Sequence, residues 1–500
     1  MTGLSRAAPS LDPLTESVQD LTRTALERAL NESTRAQLTE ALDRLSQPLR
    51  LAIAGRVKAG KSTLLNALIG EELAPTDAGE CTRLVTWYIG GDSPQVLVQH
   101  RDGRREHRPY RRDRGALDVD LGAPVEQIDH LEVTWPSSRL RDVTLIDTPG
   151  IASLSTEVSE RVSVLMPTDD ERPPTADAVL YLLRHAHASD IRFLESFQDD
   201  DLASGTPVNA LGVLSRADEI GCCRLDALTV AARVAGRYQQ DQRIRRLCPL
   251  VIPVSGLLGQ AGTTLREKEF RELTRIAALP DQVMEDLLLT ADRLIAEGSQ
   301  AGLTDHERRQ LIDRLGLFGV RFAVLLIRTG AARTATDLAR RLAASSGLDE
   351  LRDVLLHQFT ERSRLLRARS ALWTVRAAVR RGGCADPDLI EAAAEQIASS
   401  AHEFREIRLL NELRSGTLAI QQHGDEMERL LGGSGHRPTT RLGLPEAATP
   451  AELSGAALTA LDAWQRRASS PLSGRQVQLA ARDVIRTIEG ILAGLPPTSG

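Results

Sequence analysis

Five hundred residues are enough for two to four domains with substantial cores. A formal net charge of −6 sets aside a generic nucleic-acid binder, and aromatics at 3% with abundant Ala, Leu, Arg and Glu point to a mostly helical chain. Five scattered cysteines, odd in number and without ligand spacing, exclude a disulfide framework and a zinc site; they read as reduced cytosolic thiols. No apolar core of a signal peptide precedes Pro13, and no apolar run approaches the roughly 18 residues of a membrane span. Any membrane contact is therefore expected to be peripheral.

Leu14, Val18, Leu21 and Ala25 follow the spacing of an amphipathic helix. A second helix is expected with Ser33 or Thr34 as its cap, Gln37 as capping-box partner and Leu38, Leu42 and Leu45 as its stripe, ending before Pro48. Leu51-Ala52-Ile53-Ala54 reads as a buried strand, and Thr63 to Ile69 as a helix. Between them Gly55-Arg56-Val57-Lys58-Ala59-Gly60-Lys61-Ser62 fits G-x-x-x-x-G-K-[ST], the phosphate-binding loop. In such a loop backbone N–H groups converge on phosphate oxygens and the helix N-terminus adds its positive end. Lys61 reaches the β/γ phosphates, and Ser62 holds Mg²⁺. Gly55, Lys58, Ala59, Gly60, Lys61, Ser62 and Thr63 are the candidate phosphate-side residues. Of 62 basic residues only Lys58, Lys61 and Lys268 are lysine, and two of them lie in this loop. An ammonium there is not exchangeable for a planar guanidinium.

From 49 to about 275, strands and helices alternate as a parallel sheet requires. Residues 85–89 and 96–98 read as strands. The arginine-rich run 100–115 reads as a solvated hairpin, with a phosphate- or lipid-contacting loop as the competing reading. The strand 143–146 ends in Asp147-Thr148-Pro149-Gly150, which places Asp147 to orient Mg²⁺ or its water near a γ-phosphate. Residues 177–183 and 211–214 are further strands. The second leads into Ser215-Arg216-Ala217-Asp218, whose carboxylate can accept guanine N1–H and N2–H₂ together, which adenine cannot offer. Strand 251–254 ends in Ser255-Gly256, whose backbone could meet guanine O6.

Past 275 the pattern is helical. Gly316 to Ile327 is an apolar stretch too short to span a membrane; a core helix and a membrane wedge are the two readings. Leu348 to Arg381 reads as one helix of about 34 residues, some 50 Å long. Gly382-Gly383 breaks it, and Asp386 and Pro387 open a second long helix to Ser415, making a stalk-like hairpin. Arg376, Arg380 and Arg381 at its turn either satisfy the helix dipole or touch lipid phosphates. Residues 432–449 read as a linker, and Val477 to Leu495 as a final amphipathic helix. Its seam matches that of the N-terminal helices, so the two chain ends are expected to pair as a neck. The expected organisation is N-terminal neck helices at 1–48, an α/β nucleotide domain at 49–275, a helical trunk at 276–449, and returning helices at 450–500.

Together these motifs resemble those of the dynamin superfamily: a phosphate loop, a lone switch Thr, D-[TL]-P-G, [TN]-K-x-D and a base-capping loop. Ala74 to Trp87, Ser215 to Gly221, Pro253 to Leu258, Gly316 to Arg321 and Gly432 to Gly435 look like the actinobacterial isoniazid-inducible branch. The resemblance implies that Thr82 is the switch residue and, with Ser62 and Asp147, a Mg²⁺ ligand. It also places Gly150 at the γ-phosphate, and Arg216, Asp218, Ser255 and Gly256 at the base. It implies an α/β GTPase domain joined to an all-helical neck and trunk, with GTP/GDP and Mg²⁺ as cofactors. The implied activity is GTP hydrolysis coupled to self-assembly and remodelling of the cytoplasmic membrane from its inner face. Implied partners are a second copy across the nucleotide face, a related dynamin-like protein, and anionic lipid. A GTP-switched scaffold is the alternative; a ribosome- or RNA-directed GTPase is disfavoured by the acidic charge. Three positions depart from the family pattern. Arg216 replaces a Lys, Val57 stands where Gln is frequent, and Lys58 stands where dynamins hold a monovalent cation with Ser. Lys58 is thus either a built-in charge compensator or an ordinary solvent-facing loop residue.

Overall fold

The structure, a computed structural model, describes residues 13–74, 84–113, 116–148, 176–184, 210–248, 250–356, 362–416, 423–470 and 474–495, with Phe359, Leu418 and Ile420. The sheet strands are β1 (Leu49–Gly55), β2 (Val85–Gly90), β3 (Gln95–His100) and β4 (Arg105–His107); β5 (Tyr110–Asp113) and β6 (Ala116–Val119) form a separate hairpin. The sheet continues with β7 (Ile128–Trp135), β8 (Val143–Asp147), β9 (Ala178–Leu183), β10 (Ala210–Ser215) and β11 (Val251–Val254). Its order is β11-β10-β9-β1-β8-β2-β7-β3-β4, parallel from β11 to β8 and mixed beyond. β1 is buried along its whole length because both faces are covered, which is why it reads as a continuous apolar run. Leu51 and Ile53 enter the core beneath α3 (Lys61–Ile69), while Ala52 and Ala54 enter the opposite one.

The sequence reading missed β7. Leu131, Val133 and Trp135 do alternate inward, but Asp129, His130 and Glu132 between them mask the run as polar. Those polar groups satisfy one another: His130 lies 2.7 Å from Asp129, and Glu132 accepts from Arg105 at 2.8 Å. The arginine-rich run forms hairpins as expected. Three of its guanidiniums are paired: Arg105 with Glu132 at 2.8 Å, Arg108 with Glu106 at 3.3 Å, and Arg112 with Glu71 at 2.7 Å while lying 4.7 Å above the Trp135 ring.

α1 (Pro13–Glu27) and α2 (Glu32–Arg44) bury the expected seam residues Val18, Leu21, Ala25 and Leu38. The α2 cap is Asn31, accepting from the Thr34 N–H at 2.8 Å, rather than Ser33 or Thr34. Beyond β10 come α4 (Ala227–Gln240), α5 (Gln242–Leu247), α6 (Gly256–Thr264), α7 (Glu267–Ala277), α8 (Asp281–Leu287), α9 (Ala291–Glu297), α10 (Asp305–Arg328) and α11 (Ala335–Ser345). Residues of α7 to α11 share one core with Ala227, Leu258 and Ala261, so the division expected at 275 falls inside a single packed unit. The apolar stretch from Gly316 is a core helix, with Phe318 fully enclosed.

Within the expected 34-residue helix the structure describes α12 (Leu348–Leu355) and α13 (Ser363–Arg380); 357, 358, 360 and 361 lie outside the described residues. Different cores claim the two halves. Leu348 and Leu351 pack under the sheet, whereas Ala368, Leu372 and Val375 pack on α1 and α2. After the Gly382-Gly383 turn the chain forms α14 (Pro387–Ser400) and α15 (His402–Ser415). Here one expected helix is split, because Ala401 between the two is extended at ψ 120°. Arg376 meets neither lipid nor the helix dipole: it is buried and paired with Glu391 and Glu395, and Arg381 donates to Gln37 at 2.6 Å.

The neck pairing is corrected as well. α1 and α2 pack on α13 and α14, tied at the turn by the Leu30 N–H to Gly383 and the Ala385 N–H to Arg28, both at 2.8 Å. The chain closes with α16 (Gly424–Leu430), α17 (Pro438–Leu442), α18 (Pro450–Ser469) and α19 (Arg475–Gly494). The last helix buries its seam against α18, α15 and α16 around Trp464. Residues 432–449 are no free linker, since Leu442 and Arg441 are buried. Arg441 donates to the Leu430 carbonyl at 2.6 Å and to Glu406.

That cluster makes the helical region acid-sensitive. Burial and the guanidiniums of Arg362 and Arg441 lower His436 from 6.5 to about 3. Burial alone would raise Glu406, but His402, Arg441 and Thr487 outweigh it and hold the carboxyl at about 2. Both groups bind fewer protons folded than unfolded, so stability is complete above about 6.5, declines as His436 titrates in the unfolded chain, and falls more steeply below about 4.5. The expected outcome is a melting temperature that drops from pH 7 to pH 4. His436→Gln should flatten the part between 6.5 and 4.5, checked by circular dichroism.

Candidate functional site

The site forms along the carboxyl ends of β1, β8, β10 and β11, where a parallel sheet delivers loops to one edge. β1 runs into the loop 55–60, and α3 starts at Lys61 with its N-terminus open, Gly60 serving as a cap without a side-chain bond. Lys61 curls over the loop, its ammonium donating to the carbonyls of Gly55 at 3.2 Å and Arg56 at 3.4 Å. Burial lowers its pKa, and Asp147 opposes the shift. A cation held only by two carbonyls is ready to exchange them for phosphate oxygens. Lys58 stands differently. Its side chain is exposed and its backbone left-handed, at φ 61°.

Asp147 ends β8, which pairs with β1 so that Ile53 lies opposite Asp147. The next residue locks the junction, the Thr148 hydroxyl donating to the Ile53 carbonyl at 2.9 Å. Burial raises the Asp147 carboxyl to about 6, against the pull of Lys61, the Thr148 N–H and the Ser62 hydroxyl. Its Oδ1 is enclosed and has no hydrogen-bond partner. An enclosed, unsatisfied carboxylate oxygen beside a hydroxyl fits a hard divalent cation. The structure brings Ser62 and Asp147 within hydrogen-bonding reach of each other. Thr82 and Gly150 lie outside the described residues.

At the other end of the loop a cavity of about 100 Å³ is lined by Ala59, Thr63, Ser215, Asp218, Gly256 and Leu257 among others. Asp218 is buried at its wall, its pKa raised by that burial and countered by a hydrogen bond from Ser255. The Ser255 oxygen also accepts the Leu258 N–H at 3.3 Å, so one hydroxyl caps α6 and steadies the carboxylate. Gly256 sits where a Cβ would come within 3.1 Å of the Thr63 methyl, so the capping loop packs closely on α3. Arg216 is left-handed at φ 52°, and its guanidinium pairs with Glu219 at 2.5 Å; Arg184 holds the same Glu219 at 2.5 Å. Tied back in this way, the Arg216 stem can flank a purine as a lysine stem would. Sequence reasoning missed Glu219 and Leu257. Glu219 had a local signal, an acid three residues beyond Arg216, but Leu257 had none.

A buried carboxylate at the wall of a cavity, a phosphate loop at its mouth and an enclosed acid beside Ser62, on this sheet, make the arrangement of a phosphate-loop GTPase. Residues 51–214 match the dynamin family. The isoniazid-induced protein IniC of Mycobacterium tuberculosis is 40% identical over 466 residues, covering 91% of this chain and 92% of that one. The chain belongs to the dynamin family. The isoniazid-induced protein IniA of the same organism is 28% identical over 330 residues, 61% of this chain and 45% of that one. A solved structure of an oligomerised bacterial dynamin pair aligns with 98% of this chain and 91% of that one, at 12% identity and a TM-score of 0.35.

Lys61→Ala should lower GTP turnover by at least about 100-fold, because it removes the ammonium that offsets phosphate charge. Lys61 donates only to loop carbonyls, so the far-ultraviolet circular dichroism spectrum should match the parent. Turnover within a few-fold of the parent would contradict the site.

Proposed function

We propose that this GTPase uses Mg²⁺-dependent hydrolysis of GTP to drive self-assembly and remodelling of the cytoplasmic membrane from its inner face. The observation that carries the reading is that the nucleotide sheet is bonded directly into the helical body. Asp177, just before β9, accepts from Arg44 of α2 at 2.5 Å, from the Arg50 N–H at 2.9 Å and from Ser370 of α13 at 3.1 Å. On the other flank Glu428 takes Arg245 of α5 at 2.7 Å and Arg414 of α15 at 2.9 Å. Membership of the dynamin family supports the step from lever to membrane. No helix among the described residues is long and apolar enough to cross a bilayer, so the contact proposed is peripheral, with anionic lipid. A second copy across the nucleotide face, or a related dynamin-like chain, is the proposed partner.

In the site, Lys61 leaves the Gly55 and Arg56 carbonyls for the β/γ phosphates, and the N–H groups opening α3 take the remaining oxygens. Ser62 and Asp147, joined by Thr82, would hold Mg²⁺, which supplies charge neutralisation between the β and γ phosphates. Gly150 is assigned to the γ-phosphate through its backbone. Asp218 accepts from the guanine edge, while Ser255 and Gly256 close over O6. Lys58 is the compensator for charge building on the bridging oxygen, the place where dynamins use a monovalent cation; its exposed, uncommitted ammonium leaves it free to reach there.

Sedimentation with vesicles of phosphatidylglycerol and cardiolipin, with and without GTP, tests the membrane step. GTP-dependent pelleting with stimulated turnover is expected, and a protein that hydrolyses GTP yet never pellets would be a scaffold instead. Turnover should be nearly indifferent to Na⁺ or K⁺. Lys58→Ser should lower kcat by about 10-fold with little change in GTP affinity. Strong K⁺ dependence of the parent would remove Lys58 from the mechanism.

A further inference from the structure

α10 starts almost 90 residues after Asp218, yet it touches the base site at two places. Its N-terminal half is regular, opened by a capping box between Thr304 and Glu307. At Gly316 the backbone leaves the helical region, at φ 67° and ψ 171°, before the helix resumes. That combination is open essentially to glycine alone. The break presses this bare Cα against the base pocket. A Cβ at 316 would lie 3.2 Å from Leu257 Cδ1 and 3.8 Å from the Asp218 carboxylate oxygen Oδ2. Leu257 lines the cavity, so Gly316 backs both the carboxylate and the apolar wall beside it.

The second contact lies five residues on. Asp218 sits on a short turn, Ala217–Glu219, and the chain then makes three successive left-handed residues: Gly221 at φ 66°, Cys222 at 60° and Cys223 at 58°. Two non-glycine residues in that conformation persist only where their surroundings over-determine them. Arg321 supplies the constraint. Its guanidinium donates to the Cys223 carbonyl at 2.6 Å and the Cys222 carbonyl at 3.4 Å, and from its other nitrogens to Leu288 and Leu289, both at 2.8 Å. Between the two contacts the Phe318 N–H meets the Cys223 sulfur. An arginine inside an apolar helix that donates to four backbone carbonyls acts as a fixed multi-pronged donor rather than a charge pair.

We propose that Gly316 and Arg321 are positioning residues for guanine recognition, setting the Asp218 carboxylate from behind so that both its oxygens face the purine edge. The proposal rests on the reading of this cavity as the guanine site. Bidentate acceptance from N1–H and N2–H₂ demands a fixed carboxylate plane, and Ser255 secures it from only one side. Gly316 and the Arg321-held turn secure the other. A change there acts on base discrimination, since Lys61, Ser62 and Asp147 lie at the opposite end of the loop.

The full-length chain is assayed with GTP and with ITP, which lacks the 2-amino group, and with XTP for Asp218→Asn. Gly316→Ala should raise the KM for GTP by about 10-fold, more than it changes kcat, and lower the GTP-over-ITP preference in kcat/KM by about 3-fold or more. Arg321→Lys keeps the charge but cannot span four carbonyls, and it should shift the same ratio in the same direction. Either variant, folded by its melting curve and retaining the parental preference, overturns the proposal. If Gly316→Ala does not fold, Arg321→Lys decides alone. Asp218→Asn should move preference toward XTP. If it does so while the α10 variants keep the parental ratio, only the positioning role fails; if its guanine selectivity is unaltered, the cavity reading fails and the proposal with it.

Discussion

The architecture depends on one buried carboxylate. Asp177 stands where β9 leaves the floor of the sheet, next to the strand that delivers the phosphate loop. By gathering Arg44, the Arg50 N–H and Ser370, it joins three separate stretches of chain at a point closed to water. An isolated charge there would cost several kcal/mol, and removing one partner of such a pair typically costs about 3–5 kcal/mol. The sheet therefore cannot tilt relative to α2 and α13 without breaking this group's bonds. A hinge between nucleotide domain and helical body has to lie elsewhere, or has to break this contact as its step.

The same logic organises the flank. The helices after β11 pack onto the nucleotide domain, their core taking in Ala227 of α4, which precedes β11. Arg314 of α10 bonds Glu72 at 2.6 Å and Glu269 at 2.5 Å, so the exit from α3 and the start of α7 meet on one guanidinium. A chain with so few aromatics builds long-range order from arginine instead. Its planar fork reaches several carbonyls or carboxylates at once, as Arg321, Arg314, Arg376 and Arg441 each do.

What could be read from the sequence follows from how local each feature is. The phosphate loop, Asp147 and Asp218 were legible because strand, turn and helix sit within a dozen residues of one another, and the motif dictates the chemistry. The strands flanking them were legible as apolar runs. β7 was hidden because its outward residues pair among themselves and look like a polar loop. A helical seam at Val477 to Leu495 showed that one face is buried, but not against what. Matching it to α1 was an inference from likeness, and the actual partners, α15, α16 and α18, carry seams just as good. The two cores that α12 and α13 serve could not be told apart in their shared apolar pattern, because Leu351 and Leu372 read alike although one packs under the sheet and the other on α1 and α2. Gly316 was visible as a glycine in an apolar helix and as part of the family likeness, but its place behind Asp218 depends on the fold bringing the two together.

The distribution of amines has a practical consequence. Lys268, at the start of α7, sits between Glu272 at 3.4 Å and Glu307 at 3.3 Å, so the phosphate loop holds the other two lysine side chains of the whole protein. Acylating reagents that scatter over dozens of positions on an ordinary protein of this size have three side-chain addresses here. Protection of the two loop addresses becomes a direct chemical signal of an occupied nucleotide site. Amine-linked immobilisation or cross-linking, by the same count, has two of its three side-chain attachment points in the nucleotide loop.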